Sequence, residues 1–371
     1  MEASMQNYSI SLPSYSIGES VLERIGEVCS PWGRRAVLIG GERALSAIAG
    51  KLTECFLRDG RIELSGPLKY GGEASLENVH ALMDRQEVRE ADMIFAAGGG
   101  KALDTCKVLG NMTGKPVFTF PTIASTCAAT TAVSILYHPD GRFDHPHFLP
   151  GPAHHAFIDT TVIASAPTRY LWAGLGDTYA KYFESTMSSR GDELNHYHAL
   201  GVVTSQACLT PLLRYGRSAM EAHEQRLVTP ELEQVILTVI VTTGIASILL
   251  TADRIIDYNT GLAHAVFYAL TGFPELELER NHLHGEVVGF GVLILLLVDG
   301  QRERFEELWR FNRSVGLPTS PEEIGVSREM LARVIPCIPR MADVAHNPYS
   351  ITESMLISAF DELEKYNTAN Q

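Results

Sequence analysis

The sequence predicts two domains, an α/β domain over residues 1–163 and an all-helical domain over residues 164–371. Short apolar runs alternate with amphipathic segments through the first part of the chain, which is typical of parallel strands joined by helices. From Pro167 onward a helical period persists and strand-like runs are scarce. A length of 371 residues also exceeds that of most single cores and favours two domains.

Individual elements follow from apolar runs that end at glycine or proline and from amphipathic periods. Strands are predicted at 36–41, 93–97 and 117–120. Helices in the first domain are predicted at 42–59, 75–87 and 101–114. The Asp140-Gly141 pair within 132–143 predicts a β-hairpin. The second domain has segments long enough to be helices at 169–189, 193–217, 231–251, 261–271, 285–299, 302–315 and 351–365.

Composition and charge exclude several classes of protein. A formal net charge of −14 argues against a nucleic-acid partner, because no basic stripe is present to neutralise phosphates. The six cysteines are scattered without a CxxC pair, as free thiols are in a reducing compartment. No basic region followed by an apolar core opens the chain, and the apolar run 287–298 is too short to span a bilayer. We expect a cytoplasmic protein without a membrane partner.

A glycine triplet at the end of a predicted strand is the first candidate binding element. Gly98, Gly99 and Gly100 follow an apolar run and precede a helical segment that begins near Lys101. Glycine lets backbone N–H groups approach a ligand, and the start of a helix attracts anions, so this junction suits a phosphate or pyrophosphate. The pattern GGGxxxD, which ends at Asp104, differs from the GxGxxG of dinucleotide sites. A simple tight turn therefore remains open from these residues alone.

Polar residues in apolar helical surroundings form a second candidate site. Asp177, Lys181 and Glu184 fall on one face of a predicted helix, while His264 and His284 lie in or beside other apolar helices. Each has an ordinary alternative, since Asp177 could cap a helix and a histidine among apolar residues is often a hydrogen-bonded core residue. One carboxylate and two imidazoles are nevertheless a common ligand set for a catalytic divalent metal.

Six segments, in order along the chain, then carry a family resemblance. They are 98–107 (GGGKALDTCK), 121–128 (PTIASTCA), 132–137 (AVSILY), 174–181 (GLGDTYAK), 263–266 (AHAV) and 284–291 (HGEVVGFG). Together they resemble the iron-containing, or group III, alcohol dehydrogenase superfamily. Within it they are most similar to glycerol dehydrogenase and to hydroxycarboxylate dehydrogenase-type enzymes.

The resemblance implies a Rossmann-like first domain, a helical second domain of the dehydroquinate synthase-like type, and an active site in the cleft between them. It implies that Asp177, His264 and His284 bind the metal, zinc in this branch and iron in others, with Lys181 beside them. It implies that the cofactor NAD(P) contacts the following residues: Gly98, Gly99, Gly100, Lys101, Asp104, Thr122, Ser125, Thr126, Cys127, Ser134, Leu136 and Tyr137.

Three positions depart from the pattern of the family. Cys127 stands where glycerol dehydrogenases have an aspartate, and a thiol cannot accept two hydroxyl hydrogen bonds in the same way, so a 2-hydroxy or 2-oxo acid is favoured over glycerol. Phe267 replaces a histidine and cannot relay a proton, a role then left to water or His282. Gly41 stands where NAD-preferring members have an acid, and Arg43 could meet a 2′-phosphate, which slightly favours NADP and leaves NAD open.

The function predicted is a metal-dependent, NAD(P)-linked oxidoreductase that interconverts a small alcohol or 2-hydroxy acid and its carbonyl form, as a homo-oligomer. Glycerol dehydrogenase proper, a dehydroquinate synthase-like lyase, and a nucleotide- or metal-binding homologue with little turnover remain as alternatives. His346 could approach the cleft. The remaining histidines around the hairpin are interpreted as a solvated loop rather than a second metal site: His138, His145, His147, His154 and His155.

Overall fold

The computed structural model describes residues 8–370, except for the side chain of Glu279. Within this range the strands are β1 Tyr15–Gly18, β2 Arg35–Gly40, β3 Glu63–Lys69, β4 Met93–Gly98, β5 Val117–Pro121, β6 Val133–Tyr137, β7 Phe143–Phe148 and β8 His155–Asp159. The helices of the same half are α1 Ile25–Cys29, α2 Glu42–Asp59, α3 Leu76–Met83, α4 Gln86–Glu90, α5 Gly100–Thr113 and α6 Thr160–Ala164.

The strands of the first half form one parallel sheet in the order β1-β8-β5-β4-β2-β3. The predicted strands β2, β4 and β5 and the crossover helices α2 and α5 are confirmed. The sheet also contains β1, β3 and β8, for which no prediction was made. All three are short or irregular, and β3 is interrupted by Gly66 and Pro67.

A separate two-stranded antiparallel sheet confirms the predicted hairpin. Strands β6 and β7 pair through a turn at Asp140-Gly141, where the N–H of Gly141 donates to the carbonyl of His138. The hairpin packs along α5 through Asp104, described below. It therefore stands beside the ends of the parallel strands instead of extending the main sheet.

The second half is helical, as predicted. Its helices are α7 Thr168–Ser188, α8 His196–Glu224, α9 Pro230–Leu237, α10 Thr243–Leu250, α11 Leu262–Thr271, α12 Leu278–Asn281, α13 His284–Val298, α14 Arg302–Val315, α15 Arg328–Val334 and α16 Glu353–Ala369. A π-helical turn, Thr238–Thr242, joins α9 to α10, so that the predicted helix 231–251 is continuous but locally widened. Short 3₁₀ turns connect several of the other helices.

The continuous helix Pro230–Leu250 is long and apolar enough to cross a membrane by length and composition. Of its most apolar window, 72% is buried inside the structure. Such burial is typical of a core helix of a globular protein, which can have the same apolar composition as a membrane-spanning helix. The helix packs mainly against α8.

Alternate residues of the central strands pack into two cores, one on each face of the sheet. Val37 and Ile39 of β2 join one apolar cluster, whereas Ala36 and Leu38 join the other. Burial on both faces is typical of parallel sheets. The first cluster continues without interruption into α7, α11 and α13. The proposed domain boundary at residue 163 therefore crosses a shared core and stays a prediction.

Glycines allow α7 and α13 to cross at backbone contact. A Cβ atom on Gly176 would lie 2.0 Å from the carbonyl oxygen of Gly285, and one on Gly285 would lie 2.0 Å from the carbonyl oxygen of Ala173. Neither distance is possible for real atoms, so only glycine permits this approach. The crossing places Asp177 of α7 beside His284, the first residue of α13.

Candidate active site

A cleft of about 1140 Å³ runs from the carboxyl ends of the parallel strands to helices of the second half. It exceeds the roughly 300–1,000 Å³ of a pocket for a drug-sized ligand. Ligands of open parallel sheets bind at this edge of the strands. Its lining includes most of the predicted site residues: Gly41, Arg43, Gly98, Gly99, Gly100, Lys101, Asp104, Thr122, Ser125, Thr126, Cys127, Tyr137, Asp177, Lys181, His264 and His284.

The glycine triplet forms the turn from β4 into α5. Gly98 has a φ of +153°, and a Cβ there would lie 2.8 Å from the Cβ of Ala102. A Cβ on Gly99 would lie 2.5 Å from the side chain of Ile123. The tight turn and the phosphate cradle are thus compatible, because the glycines that the turn requires also leave the first N–H groups of α5 open toward the cleft.

The charged residues that follow the triplet form ion pairs and hydrogen bonds with other residues of the chain. Lys101 donates to Glu73 at 2.7 Å and lies over the ring of Tyr137. Asp104 forms a 3.0 Å ion pair with Lys107 and accepts from the N–H of Ile135 at 3.2 Å. Burial raises the pKa of Asp104 although Lys107 opposes this shift. The carboxylate therefore fastens α5 to the hairpin.

Two of the expected cofactor contacts face away from the cleft. Ser134 and Leu136 are completely buried, and the hydroxyl of Ser134 donates to the carbonyl of Asp104. Side chains alternate across a strand, so Val133, Ile135 and Tyr137 of β6 line the cleft instead. The side chains of Ser134 and Leu136 therefore do not line the cleft, and a cofactor contact at these two positions stays a prediction.

Asp177, His264 and His284 converge at the inner end of the cleft. One ligand atom from each lies within 4.8 Å of the others. Oδ1 of Asp177 is 3.4 Å from Nε2 of His284 and 3.8 Å from Nε2 of His264. Two imidazole nitrogens and a carboxylate oxygen at these separations fit a divalent cation such as zinc or ferrous iron.

Glu184 orients one of these imidazoles. Its Oε2 lies 2.7 Å from Nδ1 of His264, and its Oε1 accepts from the N–H groups of Gly261 and His264 at 2.9 Å each. Burial alone would lower the pKa of His264, but the charge and hydrogen bond of Glu184 outweigh it and the pKa is raised. A carboxylate on Nδ1 leaves Nε2 toward a metal, the usual support of a ligating histidine.

The carboxylate of Asp177 is held in its charged form. Burial alone would raise its pKa, but the hydrogen bond and charge of His284, with smaller contributions from His264 and Lys181, lower it. A carboxylate binds a metal in its ionised form, and an imidazole binds it in its neutral form. The chemistry of this donor set therefore fits a metal ion.

Phe267 and His282 border this group of side chains. The Phe267 ring packs edge-on against His284, with ring centroids 4.5 Å apart. His282 lines the cleft, and its Nδ1 lies 2.7 Å from Oε1 of Glu286. His282 lies in the short connection between α12 and α13 and forms part of the cleft wall.

Sequence reasoning missed several residues at the two ends of the cleft. Thr243, Ser247, Asn259 and Tyr268 line the metal end, and Lys51 lines the opposite end, where it binds Asp159 and Thr161. The spacing of Arg43, Ala47 and Lys51, one turn apart on α2, is a signal that could have revealed this face. The others come from loops or from helices that no motif marks.

Cys127 lies between the two ends as a neutral thiol. Burial raises its pKa to about 12. The structure describes all six cysteines as free thiols, which confirms the absence of a disulfide framework.

The remaining histidines lie elsewhere. His138 and His145 are half-exposed beside Asp144. His155 is buried between Ser14 and Ser16, so it is not part of a solvated loop. His154 packs against aromatic rings and is partly buried. His346 pairs with Asp192 and Asp257 and is absent from the described lining of the cleft.

Comparison with known proteins agrees with this geometry. The family model described as iron-containing alcohol dehydrogenase matches residues 13–153. A glycerol dehydrogenase of Thermotoga maritima is 33% identical over 95% of this chain and 95% of its own. Hydroxycarboxylate dehydrogenase A of Escherichia coli is 29% identical over 90% of each chain. The crystal structure of glycerol dehydrogenase from Schizosaccharomyces pombe superposes with a TM-score of 0.84 at 25% identity and covers 98% of this chain and 92% of that one.

These likenesses extend over nearly the whole chain, so they include the residues at both ends of the cleft. The chain therefore belongs to the iron-containing alcohol dehydrogenase family, a family of metal-dependent oxidoreductases that interconvert alcohols and carbonyl compounds.

Proposed function

We propose that the protein is a metal-dependent, NAD(P)-linked dehydrogenase that interconverts a small alcohol or 2-hydroxy acid and its carbonyl form. The observation that carries the proposal is that a single cleft joins a glycine turn to a group of potential metal ligands. A glycine turn at the start of α5 lies at one end, and Asp177, His264 and His284 lie at the other. A dinucleotide and a small substrate would meet between them.

Zinc is the metal proposed, because the likeness to glycerol dehydrogenases implies it. The same donor set also suits ferrous iron, so metal analysis decides between them. When bound, the metal polarises the substrate oxygen and the nicotinamide takes or gives the hydride.

The residues of this protein position the metal ligands and the cofactor. Glu184 fixes the ring of His264, and the α7–α13 crossing fixes Asp177 relative to His284. The turn at Gly98–Gly100 would hold the pyrophosphate, and Thr122, Ser125 and Thr126 would line the wall beside it. Positioning of this kind lowers the barrier of the chemical step, because the translational and rotational entropy of the reactants is already lost on binding.

NADP is proposed as the preferred nucleotide. Gly41 and Arg43 line the end of the cleft that would receive the adenosine ribose; Lys51, on the same helix face, is paired with Asp159 at 2.8 Å. Glu42 lies beside them, but it is paired with Lys69 at 3.0 Å. A small residue with cations nearby accommodates a 2′-phosphate better than an acid does.

The test is metal analysis of the purified protein followed by oxidation of NADPH and NADH with a panel of 2-oxo acids, aldehydes and dihydroxyacetone. Bound metal with oxidation of either cofactor is the expected result. Stoichiometric metal without turnover across the panel favours the second candidate, a metal- or nucleotide-binding protein without turnover. This candidate is considered because Phe267 cannot relay a proton. Light scattering and cell fractionation test the further proposals of a homo-oligomer located in the cytoplasm.

A further inference from the structure

Lys181 is a buried cation in the cleft that lacks a carboxylate partner. It is 6% exposed and lines the cleft one helical turn from Asp177. Its Nζ donates to the backbone oxygen of Asn259 at 2.5 Å and to Oδ1 of Asn259 at 2.8 Å. An ammonium group has three donors. Within residues 8–370, Lys181 has no carboxylate within the 4 Å of an ion pair, although Asp177 is near enough for the two charges to interact.

Other lysines near the cleft are arranged differently. Lys101 is paired with Glu73 at 2.7 Å. Lys107 is paired with Asp104 and donates to Thr131 and to the carbonyl of Val133. A buried charge is costly unless it is paired, and these two lysines follow that rule. Lys181 departs from it at the point where a substrate would lie.

The charges around the metal end favour an anion. A bound divalent cation and Lys181 contribute three positive charges, whereas Asp177 and Glu184 contribute two negative ones. Two further acids, Glu286 and Asp343, are not among the residues that line the cleft, and Glu286 turns toward His282. Among a bound divalent cation, Lys181, Asp177 and Glu184, one positive charge remains, which a monoanion would balance.

The surroundings of Lys181 also suit a carboxylate. Thr243 and Ser247, one turn apart on α10, also line the cleft; the hydroxyl of Thr243 donates to the carbonyl of Thr238, so Ser247 is the hydroxyl donor of this pair that could face a ligand. The thiol of Cys127 lies near both Asp177 and Lys181 and is neutral. One turn of helix separates Asp177 from Lys181, about 6 Å along the axis. Both side chains line the cleft, so one small molecule can contact both.

We propose that Lys181 binds the carboxylate of a 2-hydroxy or 2-oxo acid and makes the cleft select such acids over neutral polyols and alcohols. This inference rests on the proposed function, because it names the substrate class of the same cleft. Lys181 is then a specificity-determining residue, and Asn259 positions it.

The experiment compares pyruvate with hydroxyacetone, in which a hydroxymethyl group replaces the carboxylate. Lys181→Met removes the charge and keeps the length of the side chain, Lys181→Arg keeps the charge, and Asn259→Ala removes the side-chain support. Hydrogen bonds to charged groups contribute about 1.5–3 kcal/mol, so we expect Lys181→Met to lower kcat/KM for pyruvate roughly 10- to 150-fold. The value for hydroxyacetone should change less than about threefold, and Lys181→Arg should retain part of the preference for pyruvate.

Equal losses for both substrates in a folded Lys181→Met protein would mean that the lysine is structural, and a wild-type preference for hydroxyacetone would contradict the inference directly. Turnover of neither substrate by the wild type contradicts the proposed function instead. Calorimetric binding of oxamate, a non-reacting analogue of pyruvate, then decides about Lys181. Binding by the wild type that is lost in Lys181→Met supports the anchor, and equal or absent binding overturns it. Metal content and circular dichroism of each variant control for folding.

Discussion

At the scale of single residues, the three side chains proposed to bind the metal, Asp177, His264 and His284, act as one unit. Removing Asp177 or His264 leaves two donors, too few to hold a catalytic divalent cation tightly. We expect Asp177→Ala and His264→Ala each to lose bound metal and activity while the protein stays folded. Atomic absorption on dialysed protein measures the metal, and stoichiometric zinc retained by either variant would refute the assignment.

Glu184 provides a second and subtler test, because it touches the imidazole and not the metal position. Replacing it by glutamine keeps the shape of the side chain and removes the charge that Nδ1 of His264 contacts. Residues in this role typically change metal affinity 10- to 100-fold, so we expect a loss of about that size. Competition with a chelator measures it. Glu54→Gln, on the exposed face of α2, is a matched control.

Gly41 tests which nucleotide the cleft prefers. A Cβ on Gly41 would lie 3.5 Å from the ring of Tyr70, an ordinary contact, so a side chain fits there. Gly41→Asp should shift the ratio of kcat/KM values toward NADH, because an acid binds ribose hydroxyls and repels a 2′-phosphate. An unchanged ratio would mean that this position does not face the ribose.

At the scale of elements, the crossing of α7 and α13 determines the metal geometry. Gly176→Ala places a Cβ on the carbonyl of Gly285, so the helices must separate. We expect a marked loss of stability, about 2 kcal/mol or more, together with weaker metal binding. Urea unfolding and metal titration measure both effects.

Gly50→Ala on α2 is the matched control for this crossing. Nothing lies within 4 Å of a Cβ at Gly50. Alanine in a helix interior is favoured over glycine by roughly 0.5–1 kcal/mol, so this variant should be slightly more stable than the wild type. A Gly176→Ala protein as stable as Gly50→Ala would show that the crossing tolerates a side chain.

Secondary-structure elements and the three candidate metal ligands were predictable where the sequence pattern is local. Asp177, His264 and His284 stand out because polar residues are rare in their apolar helices. The contact between Glu184 and His264 could not be predicted, since it joins α7 to α11 and depends on how these helices pack. Which residues of β6 line the cleft could not be predicted either, because a shift of one residue exchanges the two faces of a strand. Strand β1 was missed because it pairs with β8, far away in the chain.

At the scale of the whole molecule, buried histidines link stability to pH. Burial lowers the pKa of His155 from 6.5 to about 4, and burial also lowers the pKa values of His154 and His223. A pKa that is lower in the folded state means that the unfolded chain binds more protons between these two values. The contribution of these histidines to the free energy of unfolding is therefore complete above about pH 6.5 and is lost as the pH falls toward 4.

His155→Gln tests the shift of the His155 pKa by comparing unfolding of the variant and the wild type at pH 7.5 and pH 5.0. The wild type should lose more free energy of unfolding between these pH values than the variant, by an amount of the order of 1–2 kcal/mol. The change at His155 should leave metal content unaltered. Parallel pH dependence in the two proteins would show that this imidazole does not titrate as its burial indicates.

The close crossing of α7 and α13 has a consequence for how substrate range can diverge. Backbone contacts between glycines hold Asp177 and His284 in place, and these contacts do not involve α10 or the Asn259 loop. Substitutions at Thr243, Ser247 or Lys181 can therefore alter which molecules are accepted while the metal geometry persists. A lineage, or a library in the laboratory, could exchange an acid for a neutral polyol in small steps without first passing through a protein that has lost its metal.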